Sequence, residues 1–198
     1  MYAIIHTGIQ TLFALVTQRY LATALRFIRQ LEPFVKTHRD SLMLSNVINY
    51  YVICATAFFI TGDHRKSLKY VLSALEVPDH QLREDQRVYV RLLHLLIHFE
   101  MGNLIELESR VKAVNKFMQQ QRSGFKLETL VVDFMQREVL KLGYSEELKE
   151  AFISLKEKVD ELKADPIESY AFVYFPWSDW IDSKIKDVPL GELIIKKE

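Results

Sequence analysis

The sequence predicts an all-α protein, a right-handed superhelix of about four antiparallel helical hairpins closed by an aromatic C-terminal segment. Three observations carry that prediction. Apolar residues recur at spacings of three and four in every segment longer than about ten residues, the period of a helix face and not of a strand. Turn formers are scarce, with six Gly and five Pro in 198 residues, which leaves little room for the many short loops of an all-β fold. The glycines also stand singly between apolar stretches, where a helix would stop and reverse.

The first apolar stretch, residues 1–16, has Leu12, Leu15 and Val16 before a polar break at Thr17-Gln18-Arg19. Ala24, Ile28 and Leu31 form the returning stripe, closed by Pro33. The clearest hairpin follows. Its first helix is expected over residues 46–60 and its second over 64–76, with Pro78 as the stop. Between them, Gly62 suits the left-handed conformation past a helix end, and Asp63 suits the N-cap of the next helix. Tyr51, Ala55 and Phe58 share one face of the first helix, and Ser67, Val71 and Ala74 share one face of the second. Small residues alternating with large ones let two antiparallel helices approach closely.

Residues 78–86 read as a polar loop. The third hairpin has a dense apolar helix around residues 88–101, a turn at Met101-Gly102-Asn103, and a returning stripe of Leu107, Val111 and Val114. The fourth spans residues 127–142 and 145–163, turning at Gly143. Ser145 is its expected N-cap, with Glu146 and Glu147 behind it complementing the helix dipole. Leu148, Phe152, Leu155, Val159 and Leu162 continue at helical spacing until Pro166. Tyr170, Phe172, Tyr174, Phe175, Trp177 and Trp180 then crowd together. A short helix is expected from Trp177 or Ser178 to about Ile185, and a last one over residues 190–196. Residues 1–166 thus form the hairpin array, and residues 167–198 a cap of short helices within the same domain.

The pattern Tyr51…Ala55…Phe58…Gly62-Asp63…Ser67…Val71…Ala74 resembles the tetratricopeptide repeat, although Ser67 stands where that family usually has Ala and Val71 where it has an aromatic. Gly62 and Gly102 are 40 residues apart, and Ala24 and Ser67 are 43 apart. These periods are longer than the roughly 34 residues of the standard repeat. With the segments 91–103 and 180–185, most of the chain resembles uncharacterised tetratricopeptide-containing proteins of Bacteroidota. The resemblance implies a binding scaffold, and supplies no reaction and no cofactor. It also implies more chain toward the N-terminus, in keeping with a first helix that starts at Met1 without an N-cap.

Composition narrows the function. Apolar residues make up 49% and charged residues 26%, the balance of a soluble globular chain. Residues 1–122 carry 15 Lys+Arg against 10 Asp+Glu, and residues 123–198 carry 11 against 16. This mild asymmetry is not the basic stripe that nucleic acid requires. The apolar start is interrupted by His6, Thr7, Gln10 and Thr11 and has no basic residue before Arg19, so it fits neither a signal peptide nor a membrane span. Cys54 is the only cysteine, in an apolar run, and reads as a small buried hydrophobe. A cytoplasmic location is expected.

Candidate chemistry is sparse. His94 and His98 lie four apart and could chelate a metal, but Leu95 follows the first where a zinc protease needs Glu, and no third ligand is apparent. They read as packing histidines at the neighbouring helix. Glu146, Glu147 and Glu150 read as surface charge at a helix start. Asp179 and Asp182 among the tail aromatics would repel phosphate. No catalytic, metal or cofactor site is expected. The expected function is a non-catalytic protein- or peptide-binding scaffold, in which the first helix of each hairpin lines a concave face. Its inward positions are Asn49, Val52, Thr56 and Phe59, then Tyr89, Leu92, Leu96 and Phe99. So apolar a lining predicts an apolar cover: a partner helix, the chain's own aromatic tail, or another copy of the chain. A regulatory sensor for a peptide or small ligand, and a self-assembly element, are the alternatives.

Overall fold

The computed structural model describes residues 2–78, 83–120 and 126–195. In order the elements are α1 (Tyr2–Thr17), α2 (Leu21–Thr37), a 3-10 turn (Arg39–Ser41), α3 (Leu44–Ile60), α4 (His64–Leu75), α5 (Glu84–Glu100) and α6 (Leu104–Gln120). There follow α7 (Lys126–Phe134), a π-helical turn (Met135–Val139), α8 (Leu140–Leu142), α9 (Glu146–Lys163), a 3-10 turn (Glu168–Tyr170), α10 (Ala171–Tyr174), α11 (Trp177–Lys186) and α12 (Leu190–Ile194). Of the described residues 84% are helical, and no strand occurs among them.

The chain divides into two compact units, residues 1–90 with 194–198, and residues 91–193, the boundary falling inside α5. In the first unit α1 pairs with α2 and α3 with α4, and α3 also meets α1 and α2. The α3–α4 turn forms as its residues dictate. Gly62 takes φ +80°, and Asp63 accepts a bond from the Lys66 amide at 3.1 Å. Ser67, Val71 and Ala74 are buried against α3, and the Ser67 hydroxyl donates to the Ala55 carbonyl at 2.8 Å. That backbone contact is possible because both side chains are small. Tyr70 stacks on Phe58 at 5.7 Å and lies 6.3 Å from Tyr51. Ala74 has no exposed surface, so Ala74→Phe should cost about 1–3 kcal/mol by overpacking. Urea denaturation of the variant checks this, and an unchanged midpoint would mean the register is wrong.

The α1–α2 turn works without glycine. Arg19 itself adopts φ +70°, its amide bonded to Val16 O, while the Tyr20 amide reaches Leu15 O at 2.9 Å. Proline 33 does not close α2, contrary to expectation. The helix runs on to Thr37 because Val35, beyond the proline, is 2% exposed, and its packing offsets one missing hydrogen bond.

In the second unit the turn at Gly102 (φ +72°) repeats the first, with Asn103 N bonded to His98 O. The Arg91 guanidinium lies 4.0 Å from the centre of the Phe117 ring, which sets α6 antiparallel along this part of α5. The straight helix expected over residues 127–142 is interrupted by the π turn. Val131, Met135 and Val139 are all buried although four residues apart, and a wider turn keeps them on one face. Ser145 occupies the N-cap of α9 but does not cap it, since its hydroxyl turns to the Glu147 carboxylate at 3.3 Å. Helix α11 lies along α9, so the aromatic tail is docked. Of the loop expected over 78–86, residues 79–82 lie outside the described residues, and residues from Glu84 are helical. The expected end of the last helix at Lys196 also lies outside them.

Candidate functional site

The eight inward positions fall four plus one in the first unit and three in the second. In the first, Val52, Thr56, Phe59 and Tyr89 are buried and Asn49 is half-buried. Their polar side chains bond within the unit. The Thr56 hydroxyl spends its hydrogen on Val52 O at 2.9 Å, so the Tyr89 phenol must be the donor in the 2.7 Å contact between the two. Asn49 accepts from Gln86 Nε2 at 2.6 Å. In the second unit Leu92, Leu96 and Phe99 are 1%, 0% and 3% exposed. Phe99 stacks on Tyr144 at 5.5 Å and meets Phe152 at 5.9 Å and Trp180 edge-on at 6.1 Å. The Tyr144 hydroxyl donates to the Phe99 carbonyl. Only Asn49 of the eight therefore offers surface to a partner, and the others already pack against the chain itself.

Glu100 organises the tail. One carboxylate oxygen accepts from Trp180 Nε1 at 2.7 Å, and the other pairs with Lys184 at 2.6 Å. Around this pair Phe175, Trp177 and Trp180 are at most 1% exposed, and Trp180 meets Phe152 edge-on at 5.6 Å. Trp177 gives its indole N–H to Ala171 O at 3.1 Å. Lys156 bridges Asp160 at 2.9 Å and Asp182 at 3.4 Å, adding a half-exposed link between α9 and α11.

Glu168 plays a part that sequence reasoning missed. Its side chain is buried, and its two oxygens accept the amides of Lys126 at 2.7 Å and Leu127 at 3.0 Å. It is the N-cap of α7, supplied from 41 residues away. A cap so distant leaves no local signature. Glu168→Ala should cost about 2 kcal/mol, because charge-assisted caps are the strong ones. A thermal midpoint unmoved by the substitution would rule the role out.

The histidine pair is internal. His94 and His98 are buried, with Nε2 atoms 3.0 Å apart and rings 4.8 Å apart. One ring must donate and the other accept, so at most one carries a charge, and burial, which disfavours the charged form of both, keeps the pair neutral. His98 Nδ1 is buried and has no hydrogen-bond partner among the described residues. A bare nitrogen there is cheaper than an orphaned N–H, which makes His98 the Nε2–H donor and His94 the acceptor. Burial, then the neighbouring His98, pushes the His94 imidazole down to about 4, and burial also lowers His98. Glu106 and Arg110 of α6, which pair with each other, are the charges facing both rings. Cys54 is buried, and burial pushes its thiol well up, away from thiolate chemistry.

Among the described residues no three or more His, Cys, Asp or Glu side chains gather closely enough to share a metal ion. Nor is any of their helices long and apolar enough to cross a membrane. Comparison with known proteins returns no family model, no curated protein and no solved structure that matches the chain.

Proposed function

We infer that the chain is a non-catalytic, protein-binding module built of tetratricopeptide-like hairpins that stack as a right-handed superhelix. The observation that supports this reading is the recurrence of one device. A left-handed glycine at residue 62 and again at residue 102 ends one helix before the next begins, and a buried stripe lines each returning helix, Ser67, Val71 and Ala74 in the first and Leu107, Val111 and Val114 in the second. Stacked units of this kind present extended surface to partners. The groups that invite catalytic readings have structural roles instead: Glu100 holds the tail, Glu168 caps a helix, and the histidines bond each other.

The burial of Phe59 and Leu96 alters where a partner is to be sought. A charge at either position would open the core, so neither substitution can report on binding. The accessible apolar positions are better probes. Ile105 is 89% exposed and Ile4 is 74% exposed. Ile105 adjoins a shallow groove with Leu104, Val111 and Leu140, rimmed by the Glu108–Lys112 ion pair. An apolar centre with a polar rim is how interfaces are composed. The test is affinity capture from the native source with the wild-type chain and with Ile4→Asp and Ile105→Asp. A protein captured by the wild type and lost with one variant, at unchanged helix content, supports the module and locates its face. Capture equal to bare matrix, or indifferent to both charges and to Asn49→Ala, overturns it.

A further inference from the structure

The first unit holds a cleft of about 400 Å³ between α2 and α4, over the end of α3. On one side half-buried Leu25 of α2 forms its wall, with Ile28 packed behind and Phe58 beside it, both buried. Phe58 and Tyr70, stacked on each other with planes 6° apart and both largely buried, line its base. The charges around it are unevenly committed. Glu32 is neutralised by Lys36 at 2.8 Å, and its carboxyl is held below the usual range chiefly by that bond. Asp63 is engaged by Lys66 at 2.7 Å and by the Lys66 amide it caps. Lys66 also lies 5.3 Å from the centre of the Phe58 ring. Both carboxylates of the cleft are therefore spoken for within the fold.

Two cations are not. Arg29 on α2 and Lys69 on α4 line the same cleft from facing helices, are exposed, and make no ion pair with any described residue. Lys69 is within electrostatic reach of Glu32, whose ion pair is with Lys36. A planar guanidinium and a mobile ammonium at the mouth of a partly apolar cleft make a receptor for an anionic head on an apolar body. The cleft's volume is at the lower end of the range for small-molecule sites, which suits a compact ligand. We propose that this cleft binds a small amphipathic carboxylate, its head group between Arg29 and Lys69 and its aryl or alkyl body on Leu25 and the exposed margin of Phe58. The site is separate from the partner faces considered above, and it stands or falls independently of them.

The experiment is a titration of the full chain at low ionic strength with 4-phenylbutyrate and with octanoate, followed by calorimetry and by backbone amide shifts. Acetate and 4-phenylbutan-1-ol serve as head-only and body-only controls. The expected result is binding of at least one carboxylate, with shifts confined to α2, α4 and the end of α3. Both controls should bind at least tenfold more weakly. Arg29→Gln and Lys69→Gln, both on exposed side chains, should each weaken binding about tenfold, whereas Lys112→Gln should not. The proposal is overturned if neither carboxylate binds, if the alcohol binds as well as its acid, or if binding survives the Arg29→Gln, Lys69→Gln double substitution.

Discussion

Trp180→Ala is expected to lower the stability of the chain by about 3–5 kcal/mol, the loss typical of a fully buried aromatic that leaves a cavity. Trp180 has no exposed surface and lies among Phe99, Phe152, Phe175 and Trp177, with ring centres 5.6 to 6.5 Å away. Its removal also takes a hydrogen bond from Glu100, which then depends on Lys184 alone. Urea denaturation followed by circular dichroism measures the loss. Trp180→Phe separates the two contributions: most packing remains, the N–H is gone, and the cost should be smaller. Equal midpoints for wild type and Trp180→Ala would show that the tail does not carry the second unit's core. Removing everything after Pro166 is expected to be more severe still, exposing Phe99 and Phe152 and promoting aggregation.

Acid is expected to weaken the fold through the histidine pair. In the folded chain His94 titrates near 4, below the roughly 6.5 of an unfolded histidine. The folded state therefore favours neutral His94, and the unfolded state takes up the proton first. This contribution is fully present above pH ~6.5 and is lost as pH falls toward 4. Its size is about 3 kcal/mol, and His98, shifted in the same direction, adds to it. Glu32, Asp63 and Asp160 are also held below their ordinary values, but they lose stability only at lower pH, so the interval from pH 6.5 to 5 isolates the histidines. Denaturation midpoints across that interval should fall for the wild type and stay flat for the His94→Leu, His98→Leu double variant. A wild type as flat as the variant would remove the pair from the account.

Much of the helical layout was legible in the residues. The α3–α4 hairpin was readable because every determinant is local: Gly62 for a positive φ, Asp63 for a cap three residues from its amide, and Ser67 and Ala74 at the approach of two neighbouring helices. Pro33 misled because a local rule was overruled by Val35 packing elsewhere. Ser145 misled because a hydroxyl has more than one acceptor within reach, and Glu147 took it.

The inward stripe shows where such reading stops. Helical spacing put Phe59, Leu96 and Phe99 correctly on apolar faces, and burial agrees. Spacing along a helix says nothing of what fills the space beyond it. For Phe99 the filler is Trp180, 81 residues further along the chain, and for Lys126 the cap is Glu168, 42 residues on. Helix positions, turn residues and apolar faces follow from interactions over one to four residues, so the sequence alone determines them. The docked tail, the cap of α7, the proton shared by His94 and His98 with its unpartnered nitrogen, and the uncommitted charges of the α2–α4 cleft arise between side chains on different turns or elements. Their partners are chosen by distance in the folded molecule, and that distance exists only once the helices have packed.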